Sequence, residues 1–227
     1  MPAGTITALR AQAKDPQRVN VFINHEFALG VSLNTITKEG LFVGKTLDEE
    51  AYARLELTES SDRAMQAAMR LLEVRPRATA ELRDRLRRKE FSDEAIDRVI
   101  ERLTALGLLD DAAFAKLWVS HRQSSQPRGI NALRDELRRK GLDKDVVEAT
   151  LSNAELTEGE DERAMQVARG ALRKYANAPN RQAFQRRIGS YLQRRGYSFA
   201  TIAPIIDTLW NELQQGAAEN DETEDEA

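Results

Sequence analysis

The sequence predicts a mainly α-helical protein of tandem three-helix repeats, which form an elongated, curved array behind a small N-terminal β-rich cap. Three observations support this fold class. Hydrophobic residues alternate with polar ones in the first sixty residues and then recur at helical spacing. A basic octapeptide recurs later in the chain, and capping residues and glycines delimit the helices around each copy. Such units cover one another's apolar faces in solenoids, and we therefore expect an array.

The cap, residues 1–60, is predicted to contain a β-hairpin and a short helix. Residues 19–23 and 27–33 both alternate in hydrophobicity, and an Asn-His turn separates them. Residues 6–10 indicate an earlier strand, and residues 47–57 indicate a short helix that begins at an aspartate. A sheet this small is marginal by itself, so we expect it to pack on the helices that follow.

The repeats are marked by LRDRLRRK at residues 82–89, LRDELRRK at 133–140 and a weaker copy, IGSYLQRR, at 188–195. Each copy is interpreted as the middle helix of a three-helix unit. The predicted units span residues 61–107, 108–155 and 156–215. Their predicted helices are 62–74, 79–89 and 92–106, then 110–125, 129–140 and 143–153, and finally 159–176, 180–195 and 198–213.

The predicted helix ends carry residues that suit them. Four predicted helix starts carry side chains that accept hydrogen bonds from the first turn, namely Ser92, Asp110, Asp143 and Ser198. Gly141 and Gly196 stand where a left-handed residue would end the middle helix. Glu90 takes this place in the first repeat, where a side chain makes the conformation more costly. Pro204 falls inside the last helix and should kink it.

The net charge of −3 hides an uneven distribution. Residues 216–227 hold six acidic residues and no basic one, so we expect this tail to be disordered. Without it, 34 basic residues stand against 31 acidic ones. Residues 163–206 contain nine basic residues and no acidic one. Such a one-signed segment favours a polyanionic partner: nucleic acid, an acidic protein surface or the chain's own tail.

Several classes of function are disfavoured. Without cysteine, the chain has no disulfide, thiolate nucleophile or Cys-ligated zinc, which suits a reducing cytosol. No apolar run is long enough for a membrane span, and the N-terminus lacks a secretory pattern. GLFVGKT at residues 40–46 is one residue too short for a phosphate-binding loop and lacks a βαβ context. His25 and His121 have no metal-ligand spacing, and the acids at 110–111 are interpreted as helix caps. We therefore expect no enzyme, cofactor or metal.

Basic residues recur at equivalent positions of the middle helices. Arg83 and Arg87, like Arg134 and Arg138, flank the buried leucine stripe and are interpreted as an unpaired binding flank. The basic pairs that end these helices have an alternative explanation, since cations there also offset the helix dipole. The candidate DNA-binding or partner-binding residues are Arg83, Arg87, Arg88, Lys89, Arg134, Arg138, Arg139, Lys140, Arg169, Arg173, Lys174, Arg186, Arg187, Arg194 and Arg195.

Three segments resemble the RecX family of recombination regulators. They are RPRATAELRDRLRRKEFS at residues 75–92, LTALGLLDDAAFAKLWVSHR at 103–122 and RGINALRDELRRKGL at 128–142. The resemblance implies a cytoplasmic bacterial protein whose helical repeats lodge in the groove of the RecA–DNA filament. It also implies inhibition of strand exchange and ATP hydrolysis, and binding to single-stranded or double-stranded DNA. We further expect a monomer with no membrane partner.

A second interpretation stays open at this stage. The joints LRRKEFSDEAI and LRRKGLDKDVV, which begin at residues 86 and 137, resemble helix-turn-helix elements, so the chain could be a sequence-specific transcription regulator. An enzyme has only the short phosphate-loop resemblance in its favour.

Overall fold

The structure is a computed structural model that describes residues 3–13, 15–153, 156 and 159–225, with side chains as far as residue 215 in the last helix. The chain divides into two compact units, residues 1–109 and 110–227, which are described separately. The described residues form four strands and ten helices, which confirms the mainly helical fold class with a small N-terminal sheet. None of the helices in these ranges has the length and apolar character needed to span a bilayer.

The N-terminal sheet contains β1 (Gly4–Gln12), β2 (Asp15–Ile23), β3 (Glu26–Ser32) and β4 (Thr46–Leu47) in the antiparallel order β3-β2-β1-β4. The predicted hairpin and earlier strand are thus confirmed. Both residues of the Asn-His turn have positive φ, the conformation that joins two twisted strands most tightly. Neither β4 nor α1 (Leu33–Lys38) was predicted, because both are too short to show a period in the sequence.

The helix α2 (Glu49–Val74) corrects one prediction. The sequence predicts two helices, 47–57 and 62–74, with a domain boundary near residue 60, but the structure joins them. The polar residues between them stay within the helix: the hydroxyls of Thr58 and Ser61 donate to carbonyls one turn earlier, at 2.9 and 2.7 Å, and Glu59 is held by groups outside α2. The cap and the first repeat therefore share one helix and lie in the same compact unit.

Glu59 fastens α2 to the sheet. Its carboxylate is buried, accepts hydrogen bonds from the Ser32 N–H at 3.0 Å and the Thr35 hydroxyl at 3.2 Å, and lies 2.8 Å from Arg18 Nη2. A buried carboxylate is stable only when it is paired and hydrogen-bonded in this way. Leu55 and Tyr52, one and two turns earlier on α2, join the apolar core of the sheet. The expectation that the sheet packs on the following helices is confirmed.

The remaining helices follow the predicted repeats. They are α3 (Thr79–Arg87), α4 (Asp93–Ala105), α5 (Asp111–Ser125), α6 (Ile130–Arg139), α7 (Lys144–Leu151), α8 (Glu160–Tyr175), α9 (Arg181–Gln193) and α10 (Phe199–Asp225). From α3 to α9, each helix begins and ends within two residues of its predicted bounds. The apolar pairs of the middle helices are fully buried, namely Leu82 and Leu86, Leu133 and Leu137, and Ile188 and Leu192.

The predicted helix ends are also confirmed. The side chains of Ser92, Asp110, Asp143 and Ser198 each accept a hydrogen bond from a first-turn N–H. The residues after the middle helices are left-handed, with φ of +64° at Glu90, +80° at Gly141 and +87° at Gly196. Glu90 thus adopts a conformation that favours glycine.

The last helix, α10, continues to Asp225 and contains Pro204. It runs through most of residues 216–227, for which the composition predicts disorder. The side chains of that segment, and residues 226 and 227 altogether, lie outside the described residues, so the disorder of the tail stays a prediction.

Candidate nucleic-acid interface

The flank of the first repeat is not unpaired, contrary to the prediction. Arg83 forms an ion pair with Asp97, and Arg87 Nε donates to Asp93 Oδ1 at 2.7 Å. Asp93 also raises the pKa of Arg87 through this hydrogen bond. Both acids lie on α4, so these arginines connect α3 to α4. The prediction failed because it considered partners only along one helix.

The flank of the second repeat is paired in the same way. Arg134 donates to Glu148 on α7 with Nε at 2.9 Å and Nη2 at 3.2 Å, and Arg138 donates to the same carboxylate at 3.3 Å. The hydrogen bond from Arg134 lowers the pKa of Glu148 below its usual value. A two-pronged arginine–carboxylate pair also orients α6 on α7. These four flank residues therefore have structural partners before any ligand binds.

Four further candidates contact acidic or aromatic side chains. Arg169 lies 2.7 Å from a Glu212 oxygen. The other three, which are cations close to aromatic rings, are Lys140 at 4.4 Å from the Trp118 centroid, Arg195 at 4.1 Å from that of Tyr191, and Lys174 at 5.7 Å from that of Tyr175. Cations held on aromatic rings keep their charge and remain able to attract an anion.

Seven candidates are not ion-paired within the described part of the chain. Arg139 Nε donates to the backbone carbonyl of Asp135 at 3.2 Å. The other six have no side-chain hydrogen bond or ion pair among the described residues, namely Arg88, Lys89, Arg173, Arg186, Arg187 and Arg194. These exposed cations are the best placed to contact an added polyanion.

A cleft of about 1350 Å³ in the C-terminal unit brings several candidates together. This C-terminal cleft lies between the second and third repeats and is lined by Arg139, Lys140, Arg186 and Arg194. Two hydrogen bonds connect the second and third repeats beside the cleft. The residue that precedes α6, Gly129, has no side chain to cap the helix. Groups of the third repeat accept hydrogen bonds there instead: the Ile130 N–H donates to Glu160 Oε1 at 2.8 Å, and the Gly129 N–H donates to the Arg195 carbonyl at 2.9 Å.

One wall of the C-terminal cleft is organised by Glu136 on α6. Its Oε2 accepts from Trp118 Nε1 at 2.9 Å and from Arg122 Nε at 2.8 Å, and Arg128 Nε lies 4.0 Å from its Oε1. Arg122 also lies over the Trp118 ring, 4.9 Å from its centroid. The indole is thus fixed by one hydrogen bond and by cations near its ring, among them Lys140. This wall presents an oriented aromatic group beside positive charge.

The opposite wall is one face of α9. Gln182, Gln185, Arg186, Gln193 and Arg194 line the cleft from it. Amide side chains can both donate and accept hydrogen bonds, as base edges and phosphates require. Phe199, at the start of α10, also lines the cleft and leaves 76% of its surface exposed. In all, the cleft is lined by six basic side chains and two acidic ones, so it has a positive potential.

The sequence predicted four of the six cations of this cleft, but not Arg122, Arg128 or the uncharged groups between the cations. Trp118, the three glutamines and Phe199 were not singled out. The helical spacing of Gln182, Gln185 and Gln193 with Arg186 on an acid-free helix was the available signal. Tyr197 belongs to the apolar cluster of the third repeat, and Tyr175, Tyr191 and Trp210 pack against it.

These features define a class of protein: tandem three-helix repeats behind a small antiparallel sheet, with a positively charged cleft between the last two repeats. Family models match the chain as the "Regulatory protein RecX N-terminal domain" over residues 4–48 and as the first, second and third RecX three-helix domains over residues 64–103, 110–151 and 158–206. The chain belongs to the RecX family.

Individual relatives agree with this assignment. The "Regulatory protein RecX" of Bacillus licheniformis is 30% identical over 212 residues, which are 93% of this chain and 80% of the relative. That of Bacillus subtilis is 31% identical over 223 residues, 98% of this chain and 81% of the relative. That of Mycobacterium leprae is 38% identical over 149 residues, which are 64% of this chain and 86% of the relative.

Solved structures show the same fold. A crystal structure of a regulatory protein RecX superposes with a TM-score of 0.71 at 23% identity, covering 89% of this chain and 98% of the other. The crystal structure of RecX from Lactobacillus salivarius gives a TM-score of 0.58 at 24% identity, over 70% of this chain and 99% of the other.

Proposed function

We propose that this protein is a non-enzymatic, cytoplasmic regulator that binds the RecA–DNA filament and inhibits strand exchange and ATP hydrolysis, with DNA contacts made by its basic surfaces. Membership of the RecX family supports the regulatory role. The partner is proposed from the family resemblance.

One observation supports the DNA contact most strongly: in the C-terminal cleft, Arg186 and Arg194 form no ion pair with any described residue and lie opposite an oriented Trp118. Cations attract phosphates, and an aromatic ring adds a surface for a base or a ribose. The paired flank arginines at positions 83, 87, 134 and 138 are better regarded as connections within their repeats. We therefore place the principal DNA contact in the cleft and not along the flanks.

The test is to add the purified protein to RecA with single-stranded DNA and ATP, and to measure ATP turnover, strand exchange and filament length. We expect all three to fall as the protein is added. The double variant Arg186→Gln/Arg194→Gln should inhibit much less. Arg187→Gln is the control, because Arg187 is also an exposed arginine of α9 but does not line the cleft.

Two results would contradict the proposal. If the protein leaves ATP turnover, strand exchange and filament length unchanged, it is not a RecA inhibitor. If the double variant and Arg187→Gln inhibit equally, the cleft is not the DNA contact.

The alternative, a helix-turn-helix transcription regulator, is less well supported. A helix-turn-helix protein reads the major groove with its second helix. The corresponding helix of the first repeat, α4, exposes four acidic residues, Asp93, Glu94, Asp97 and Glu101, against two basic ones, Arg98 and Arg102, so its surface is not positively charged as phosphate binding requires. This alternative predicts a strong preference for one operator over random DNA, whereas phosphate binding predicts little preference and a steep loss of affinity with salt.

A further inference from the structure

The N-terminal unit contains a second basic cleft, which is not the principal DNA contact of the proposed function. This N-terminal cleft, of about 720 Å³, lies where the sheet, α2 and the turn between α3 and α4 meet. Four of its lining residues are arginines or lysine, and none is acidic. The chain as a whole has more acidic than basic residues, so an ordinary solvated surface would mix the two signs.

Three of the four cations are available to a ligand. Arg18 is not available to a ligand, because its guanidinium pairs with the buried Glu59 and donates to the Gly30 carbonyl at 2.8 Å. Arg63, Arg70 and Lys89 are exposed and have no ion pair among the described residues. Arg63 and Arg70 lie two turns apart on α2, about 10 Å along the helix axis. This spacing lets both contact one extended anionic chain.

Aromatic and amide side chains lie between these cations. Phe27, from the start of β3, lines the cleft with 60% of its surface exposed, and Phe91 lines it below the Arg63 guanidinium, which is 5.9 Å from the ring centroid. Gln66 lies on α2 between the two arginines. An acidic peptide would use the cations alone. An unpaired nucleotide would also use an aromatic surface and an amide, while the bases of a duplex are stacked out of reach.

We propose that the N-terminal cleft binds a single-stranded nucleic-acid segment. Arg63, Arg70 and Lys89 contact its phosphates, and a base packs against Phe27. This site is separate from the C-terminal cleft and does not depend on any action on RecA.

The experiment measures binding of a short fluorescent oligothymidylate to the full-length protein by anisotropy, without RecA. All variants are made in an Arg186→Gln/Arg194→Gln background, so that the C-terminal cleft contributes little. Binding should persist in this background. Arg63→Gln and Arg70→Gln should each weaken it, and each should reduce the slope of log affinity against log salt by about 0.7, the value for one phosphate contact on a single strand.

Phe27→Ala should act differently from the arginine variants. We expect about a fivefold or greater loss of affinity with an unchanged salt slope, because base stacking involves no counterion release. Arg54→Gln is the matched control, since Arg54 is an exposed arginine of α2 outside the cleft. Thermal melting confirms that each variant is folded.

Four outcomes would overturn the inference. The Arg186→Gln/Arg194→Gln protein could fail to bind the oligonucleotide, which would identify the C-terminal cleft as the single-strand site. The Arg63 and Arg70 variants could match the Arg54 control. A duplex of equal length could compete better than the single strand. A peptide of the sequence 216–227 could displace the oligonucleotide more strongly than unlabelled single strand, which would identify an acidic protein segment as the ligand. Failure to inhibit RecA would affect only the proposed function.

Discussion

Gly129 and Gly196 lie in direct backbone contact, one before α6 and the other after α9. A Cβ on Gly129 would stand 2.4 Å from the carbonyl carbon and oxygen of Gly196, and a Cβ on Gly196 would stand 2.3 Å from the Ala132 backbone nitrogen. Neither position has room for a side chain. The close approach allows the α6 N–H groups to reach carbonyls of the third repeat, and it places the two walls of the C-terminal cleft opposite each other.

The first prediction concerns this contact. Gly129→Ala should lower the free energy of unfolding by about 1–3 kcal/mol, because backbone atoms cannot yield to the added methyl as a flexible side chain would. Gly170→Ala is the control: it lies exposed in α8 with nothing near its Cβ, and should raise stability by about 0.5–1 kcal/mol. Urea titration checks both. If Gly129→Ala is as stable as the unchanged protein, the two repeats can move apart at this contact without a loss of folding free energy.

A second prediction concerns the turn after α3. Glu90 is left-handed with φ +64°, where the other repeats have glycine. Glu90→Gly should therefore raise the free energy of unfolding by about 1 kcal/mol. Arg88→Gly should lower it, since Arg88 is right-handed with φ −65° and gains nothing from glycine. Thermal unfolding of both variants would decide, and a loss of stability in Glu90→Gly would mean that the Glu90 side chain contributes more than its strained backbone costs.

The third prediction concerns the ion pairs that Arg134 and Arg138 of α6 form with Glu148 of α7. Charge reversal Arg134→Glu should lower the melting temperature, and adding Glu148→Arg should restore part of it. The pKa of Glu148 is lower in the folded chain than in the unfolded one. Its contribution is therefore complete above the unfolded value, about 4.3, and is lost as the pH falls through the folded value. Melting curves at neutral and acidic pH test this, and a reversal that weakens DNA binding without lowering the melting temperature would restore the original flank interpretation.

A fourth prediction concerns alkaline stability. Burial raises the pKa of Tyr197 from 10.0 to about 12, and its hydroxyl has no hydrogen-bond partner among the described residues. A raised folded pKa means that stability is complete below pH 10 and falls as the pH approaches 12. Tyr197→Phe should flatten this fall while changing the stability at neutral pH by less than about 1 kcal/mol. Denaturant titrations across this pH range measure the effect, and an unchanged slope would assign the alkaline loss to other groups.

The fifth prediction concerns the acidic tail. Deleting residues 216–227 should raise the affinity for DNA at low salt, because the six acids compete with phosphates for the basic surfaces. A variant of unchanged length, with these acids replaced by their amides, should behave like the deletion. Filter binding at two salt concentrations tests both. Unchanged affinity at low salt would exclude competition by the tail.

Much of the fold was predictable because the apolar spacing and the capping residues of a helix are local features of the sequence. The leucine pairs at 82 and 86 and at 133 and 137, and the apolar pair at 188 and 192, define buried stripes, and the capping residues define where helices begin. The joining of the cap to the first repeat was not predictable in this way. Whether residues 58–62 break the helix depends on Glu59, whose buried carboxylate is stable in α2 only because Arg18, Ser32 and Thr35 contact it.

By itself, the sequence determined the class of fold, the number of repeats and the excess of positive charge in the third one, because composition and periodicity are local properties of the chain. Only the tertiary structure decided which cations are free. Arg134 and Arg186 look alike in the sequence, yet one is held by Glu148 and the other lines an open cleft. Ion pairing depends on distances between helices, and these are set by packing contacts such as that of Gly129 with Gly196.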